Sequence, residues 1–408
     1  MSHFILLNRI KVQNANAIAG FTWGFPAITH FLGFTHLLAR KLADHKEFAD
    51  IHLSGCAVIA HSHQVHTYST YGEHEFTQSK NPAYQHKEDS KNKVNTPPVI
   101  EEGKINMTVS LLIGCKGYLG GTAEFRFIQW LQKNCLMQRL AGGTILDIKQ
   151  IEYFSDDAIN LSKIKRRLLP GFVLQERTQH LEKHYKTLKD ENENAELLDA
   201  WLDFCCLKQQ ARPKSDLIIK YFQQRAKQQA DDSEPDELMQ KWEDHLKEPF
   251  QQARIPEQLK QHFAALENNK QTKKLFAQWQ DYCSPAQETE ADWEYVAKPE
   301  SGYLVPIMIG YKAISKEFKH KEISNVRMSY TNGIPDDPQP DVCFVEAVHS
   351  IGEWQSIHRV KTNDELNACL WHYHYEKNWY LCTQNPPVSE PGEDSAPNIS
   401  TQNPDDDF

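Results

Sequence analysis

Glycine spacing constrains this 408-residue chain more than any other feature. Thirteen glycines fall within the first 171 residues, and then none occurs between Gly171 and Gly302. Turns draw on glycine, so a stretch without it favours long regular elements. The gap is filled with Gln, Lys, Glu and Leu at helical period. "PEQLKQHFAAL" places Pro256 at a helix start and Leu259, Phe263 and Leu266 on one face. "PDELMQKWEDHL" repeats the pattern with Leu238, Trp242 and Leu246, and "KKLFAQWQDYC" with Leu275, Trp279 and Tyr282. "ELLDAWLDFCCL" is the most apolar of the four. The spacing predicts an all-helical insertion over 181–290.

On either side the pattern is shorter and mixed. "HFILLNRIKVQ" alternates from Asn8, with Ile10 and Val12 on one face and Arg9, Lys11 and Gln13 on the other, as in a half-buried strand. "AITHFLGFTHLLARKLA" sets Ile28, Phe31, Leu32, Thr35, Leu38, Ala39 and Leu42 on one helical face. "DIHLSGCAVIAHSHQVH" and "GKINMTVSLLIGC" read as strands. Strand, helix, strand, loop, strand fits an α+β sheet with helices on one face, such as a ferredoxin-like or RNA-recognition-motif core. On this reading 1–180 is an N-terminal domain, 291–388 completes the core, and 389–408 is a disordered acidic tail. Residues 73–103, rich in His, Lys, Asn and Pro, form a long exposed loop.

Net charge is −10, but it is unevenly spread. Residues 1–180 carry 20 basic against 15 acidic side chains, 181–300 carry 17 against 24, and the last twenty hold six acids and no base. The N-terminal domain is therefore mildly basic, and a polyanion partner fits it. No run approaches the roughly 18 apolar residues of a membrane span. The start lacks a basic leader and reads as a first strand. Nine cysteines without a CxxC pair suit a reducing cytoplasm and core packing.

No catalytic set assembles, so the chain reads as a non-enzyme without cofactor or metal. Three imidazoles in "HSHQVH" (His61, His63, His66) have zinc-like spacing but no carboxylate or Cys beside them, and a strand edge facing solvent or RNA is the better reading. "WHYHYE", with His372 and His374, reads as packing. "GCKGYLGG" matches neither nucleotide-binding glycine pattern. In "RLAGGTI", Gly142 and Gly143 are either a tight turn or a close backbone approach to phosphate, with Arg139 just before them. "KIKRRLLPGF" gathers Lys163, Lys165, Arg166 and Arg167, either a solvated helix face or a phosphate track, and "HRVK" adds His358, Arg359 and Lys361. In "VQNANAIAGFTWGF", the amides of Gln13, Asn14 and Asn16 can read base edges, and Trp23 or Phe25 can stack a splayed base; Asn14 and Asn16 shaping a turn and Trp23 in the core is the plainer alternative. A metal-independent ribonuclease using His30 or His36 as general base is the runner-up.

Taken together the motifs resemble a known family. "RIKVQNANAIAGFTWGFPAITHFLGFTH" is similar to the N-terminal hallmark of the second-subunit family of the Csy complex, the Cas-five-type proteins of type I-F CRISPR surveillance complexes. The likeness continues in order through "FTQSKNPAY", "IEEGKINMTVSLLIG", "MQRLAGGTIL", "RRLLPGFVLQER", "GYLVPIMIGYKAIS", "FVEAVHSIGEWQSIHRVK" and "LWHYHYE", covering about 1–180 and 295–380. The resemblance implies a cytoplasmic, prokaryotic, non-catalytic subunit. It would cap the 5′ handle of the CRISPR RNA, pair with the large subunit and an adjacent backbone subunit, and meet double-stranded target DNA through the assembly. It further implies that Gln13, Asn14 and Asn16 contact base or sugar and that Trp23 and Phe25 shape the pocket. Arg139, Arg166, Arg167, Arg359 and Lys361 would hold phosphates, with Arg9, Lys11, Gly142 and Gly143 in the same RNA-binding set. The 181–290 segment departs from the family pattern, as does the HSHQVH run.

Overall fold

The computed structural model describes residues 3–80, 99–154, 161–228, 237–267, 270–319 and 341–384. The chain divides into two compact units, Met1–Lys183 with Gly302–Phe408, and His184–Ser301. The expected acidic tail at 389–408 lies outside the described residues, as does the middle of the 73–103 segment.

The first unit opens with β1 (His3–Asn16), α1 (Ile28–Ala43), β2 (His52–Val65), β3 (Lys104–Lys116), α2 (Thr122–Leu136) and β4 (Gly143–Phe154). Next come α3 (Leu161–Leu168) and β5 (Phe172–Glu176), and the unit boundary falls inside α4 (Thr178–Glu191). The second unit holds α5 (Leu197–Cys205), β6 (Gln209–Pro213), α6 (Asp216–Gln228) and α7 (Glu237–Lys247). It ends with α8 (Glu257–Ala264), α9 (Lys273–Cys283) and β7 (Ala291–Tyr295). The chain re-enters the first unit with β8 (Leu304–Ala313), β9 (Val345–Ser356), α10 (Asn363–Asn367), β10 (His372–Glu376) and β11 (Trp379–Thr383).

The long strands of the first unit join one antiparallel ten-stranded sheet, in the order β4, β1, β3, β2, β5, β9, β8, β11, β10, with the short strand Arg139–Leu140 flanking β4. Its first four long strands thus lie in the order fourth, first, third, second, with a helix after the first and after the third. Period-two alternation gives β1 two apolar faces at its start. Ile5 and Leu7 enter a core with Phe31 and Leu38 of α1 and Phe127 and Leu131 of α2. Phe4 and Leu6 enter a second core with Ile164 and Leu168 of α3, Ile357 and Leu366. Full burial of each such side chain is worth roughly 1.5–3 kcal/mol. The expected stripe on α1 is buried at Ile28, Phe31, Leu32, Thr35, Leu38 and Leu42, and the Thr35 hydroxyl donates to the Phe31 carbonyl at 3.0 Å.

Three expectations need correction. Helices on one face only does not hold, because α3, the turn at Ile357–Arg359 and α10 cover part of the other face. The insertion is not all-helical, because β6 pairs with β7 in a two-stranded ribbon. The 73–103 segment is not a plain loop either: Glu73–Phe76 pairs with Thr67–Thr70, and Gln78–Lys80 with Val99–Glu101. Helix α2 fills a stretch for which the sequence suggested no element.

The second unit has its own aromatic core, with Phe222, Trp242, Phe263, Trp279 and Tyr282 buried together. Arg212 of β6 is buried against it and explains the ribbon. Its Nε donates to Glu294 Oε2 at 2.8 Å, one Nη to the Tyr282 hydroxyl at 3.0 Å, and the other to the Glu248 carbonyl. The Tyr282 hydroxyl also lies 2.9 Å from His245 Nε2, whose pKa is lowered by burial and by the Arg212 charge. A buried guanidinium is tolerable only when paired and hydrogen-bonded in this way. Arg212→Ala should therefore destabilise the second unit by about 2–4 kcal/mol, a little under the roughly 3–5 kcal/mol for breaking a fully buried pair because the Glu294 side chain is 33% exposed. Urea unfolding followed by tryptophan fluorescence measures it; a loss below about 0.5 kcal/mol would contradict a structural role for the pair.

Candidate nucleic-acid interface

The sheet changes character along β1. Up to Leu7 both faces are buried, whereas beyond it Ile10 and Val12 stay in the core while Lys11 and Gln13 are exposed. The switch falls at a bulge on Arg9, which takes φ 54° and shifts the register between Leu7 and Ile10. Positive φ is costly for Arg, so neighbouring contacts must hold it. The Arg9 backbone N–H donates to Ser110 Oγ of β3 at 2.8 Å, and its guanidinium donates to the Leu169 carbonyl at 3.0 Å. Ser110 Oγ also lies 2.7 Å from His61 Nε2 and 3.3 Å from Asn8 Oδ1. His61 Nδ1 sits 2.7 Å from the Pro170 carbonyl, and in the neutral ring it donates there while Nε2 accepts from Ser110. Arg9 and His61 thereby pin the chain just after α3, where cover over this face ends. Burial chiefly, with the Arg9 charge adding and the Pro170 contact opposing, lowers the His61 pKa.

Past this node the open face forms a shallow groove of about 460 Å³. Strand register brings its side chains together, because residues paired across antiparallel strands share a face. Lys11 lies opposite Thr108, which lies opposite Ser62, and Asn106 lies opposite Gln64. Gln13 is paired with Thr144, and Thr144 with Arg139, so the Arg139 of "RLAGGTI" belongs to this row. The glycines of that motif serve the hairpin: Gly142 takes φ 74°, and a Cβ on Gly143 would come within 2.7 Å of the Gln13 carbonyl and the Ala15 nitrogen. Asn14, exposed at φ 56°, donates its backbone N–H to Asn106 Oδ1 at 3.0 Å.

The remaining amide is placed differently. Asn16 closes a local turn, with Nδ2 donating to the Ile18 carbonyl at 2.9 Å and Oδ1 accepting from the Ile18 N–H at 3.1 Å, which leaves its side chain engaged with its own backbone. Phe25 is part of the packing, stacked on Phe31 and edge-on to Trp354. Trp23 packs against Phe76 in a tilted pair with ring centroids 3.9 Å apart and keeps 37% of its surface exposed. Both line a second concavity, an apolar cavity of about 520 Å³ whose walls include His61, His63, Phe172, Tyr303 and Trp354.

The two basic motifs lie side by side. Lys165 donates to the His358 and Val360 carbonyls at 2.8 and 2.6 Å, tying "KIKRR" to "HRVK". Arg167 is committed to Glu152, at 2.9 Å between Nε and Oε2. Arg166, Arg359 and Lys361 are exposed. Ser62, Gln64, Asn106, Thr108 and the wall residues Phe172 and Tyr303 escaped the sequence reading. Alternation in "HSHQV" and "KINMTVS" marks them as outward-facing, but only the pairing of β2 with β3 shows that they meet Lys11. Among the described residues no three His, Cys, Asp or Glu side chains gather as a metal set. His30 and His36 lie on α1, which packs against the Ile10 and Val12 side of the sheet.

A family model described as CRISPR-associated protein (Cas_Csy2) matches residues 5–229 and 215–382 of the chain. The chain is also similar to the CRISPR-associated protein Csy2 of Pseudomonas aeruginosa (strain UCBPP-PA14), at 27% identity over 389 residues, covering 91% of each chain.

The His61 node has a testable pH dependence. A histidine whose folded pKa is depressed contributes fully above the unfolded value of about 6.5, and stability falls as pH drops through that value toward the folded pKa. An NMR titration of His61 should accordingly give a midpoint below about 6.5, and the acid-side loss of stability should shrink in His61→Gln. A midpoint at or above the free-imidazole value would refute the assignment.

Proposed function

This chain belongs to the Csy2 family of CRISPR-associated proteins, and we propose that it is the second subunit of a type I-F Csy surveillance complex, gripping the repeat-derived 5′ handle of the CRISPR RNA without cutting it. The observation that carries this reading is the open face of β1, β3 and β2, where Lys11 and Arg139 flank a row of amides and hydroxyls. Neutral donors and acceptors such as Gln13, Gln64 and Asn106 suit the edges of bases in an invariant sequence, while the cations suit phosphate. Strand order fourth, first, third, second, with two helices on the opposite face, supports an RNA-recognition-type, ferredoxin-like core of the Cas-five type. Arg166, Arg359 and Lys361, exposed on α3 and on the turn that packs beside it, are further cations suited to phosphate.

On this reading the large subunit and the adjacent backbone subunit complete the grip, in the cytoplasm of a prokaryote. Double-stranded target DNA is engaged by the assembly, with its sequence read by guide pairing. The groove holds readers and cations, and neither His30 nor His36 lines it, which favours holding over cleavage.

The test uses the assembled complex and RNA bearing the handle. Lys11→Glu with Arg139→Glu should weaken binding at least about tenfold and flatten its dependence on log salt by about one to two units, as expected for two phosphate contacts. Unchanged affinity and slope would move the RNA elsewhere. Cleaved handle RNA after incubation of the chain in EDTA would replace the holding role with that of a ribonuclease.

A further inference from the structure

The cavity beside the groove is unlike the groove in composition. The groove is lined by Lys11, by amides and hydroxyls, and by the apolar Val12, Met107 and Leu146, with His63 as its one ring. Single-stranded RNA held on a sheet face needs stacking partners for its splayed bases, and Phe, Tyr or Trp usually provide them. Here these rings lie round the edge of β2, on the side of the sheet that carries α1. The cavity is walled by Phe25, Trp23, Phe172, Tyr303 and Trp354, and His63 lines both concavities. At about 520 Å³ it falls within the roughly 300–1,000 Å³ of small-ligand pockets and has room for a purine.

We infer that this cavity receives a single nucleobase extruded from the RNA lying on the polar face, with His63 at the crossing point. The inference rests on the proposed handle-binding role and adds to it a distinct subsite. Several features fit a neutral, flat, aromatic occupant. No Lys, Arg, Asp or Glu lines the walls, so the cavity offers no charged side chain to a phosphate. Phe25 is locked by Phe31 and Trp354, and Trp23 by Phe76, so two walls are rigid before anything enters. Tyr303 and Phe172, at 67% and 49% exposure, still offer free ring surface. His61, neutral and fixed between Ser110 and Pro170, closes one side without adding charge. Preformed rigid walls reduce the ordering cost of capture.

The experiment pairs RNA and protein changes in the assembled complex. Handle RNAs carrying one abasic site at each position in turn are measured against the unaltered protein, Ala60→Phe, which fills the cavity from β2, and Tyr303→Ala, which removes an exposed ring with little risk to the fold. One handle position should stand out. Losing its base should weaken binding on the order of tenfold in the unaltered protein. The same loss should cost little in Ala60→Phe, the non-additivity expected of two changes at one contact. 2-Aminopurine at that position should be quenched on binding and brighten in Tyr303→Ala. If RNA binds but every abasic cost is the same in all three proteins, the cavity subsite is wrong while handle binding stands. If Ala60→Phe instead weakens assembly with another subunit and leaves RNA affinity unchanged, a protein side chain occupies the cavity and the inference falls. Absence of RNA binding altogether would overturn both this and the handle role.

Discussion

The Ser110 hydroxyl, between Arg9, His61 and Asn8, is the contact on which the layout of the first unit turns. It lets β1 bulge at Arg9 without leaving a buried N–H unpaired. On one side of it the sheet has two covered faces and behaves as an interior. On the other side one face is bare, and the same strand displays Lys11 and Gln13. The Arg9 guanidinium and the His61 ring, both reaching the Leu169–Pro170 backbone, fix where the covering helix stops. The boundary between scaffold and surface is thus set by a handful of hydrogen bonds at one register shift.

Much of this was legible from residue patterns, for identifiable reasons. The stripe on α1 and the four helical segments of the glycine-free stretch obey a local period, so neighbours in sequence suffice to see them. Pairing is not local. Nothing near Gln13 announces that Thr144 and Arg139 lie across from it, and nothing in "FVLQE" announces its partners at residues 59–60 and 352–356. The bulge at Arg9 is equally invisible, because Arg is a poor candidate for positive φ and is held there by groups 101 and 160 positions away. Asn16 shows the opposite error. An amide in a polar cluster invites a ligand role, yet its side chain is the right length to close its own turn.

The second unit solves a different problem with similar means. A cluster of large aromatic rings packs well but offers no polar order of its own, and Arg212 supplies it by reaching a carboxylate, a phenol and carbonyl groups at once. Because these partners come from α9, from the end of α7 and from the facing strand β7, the charge orders elements that hydrophobic contact alone would let slide. The inner face of the ribbon is thereby committed, while Trp293 and Tyr295 on its outer face remain exposed.

The position of β5 in the sheet carries a consequence for the ribosome. One edge of β5 pairs with β2, made earlier, but the other pairs with β9, whose matching residues emerge about 180 positions later. At roughly 5–20 residues per second of synthesis, that edge stays without its mate for about 10–35 s. During this interval the entire second unit is translated and can fold on its own contacts. A nascent chain of this design spends its most aggregation-prone period with a half-finished sheet, and its yield in the cell depends on what shelters that edge until the last strands arrive.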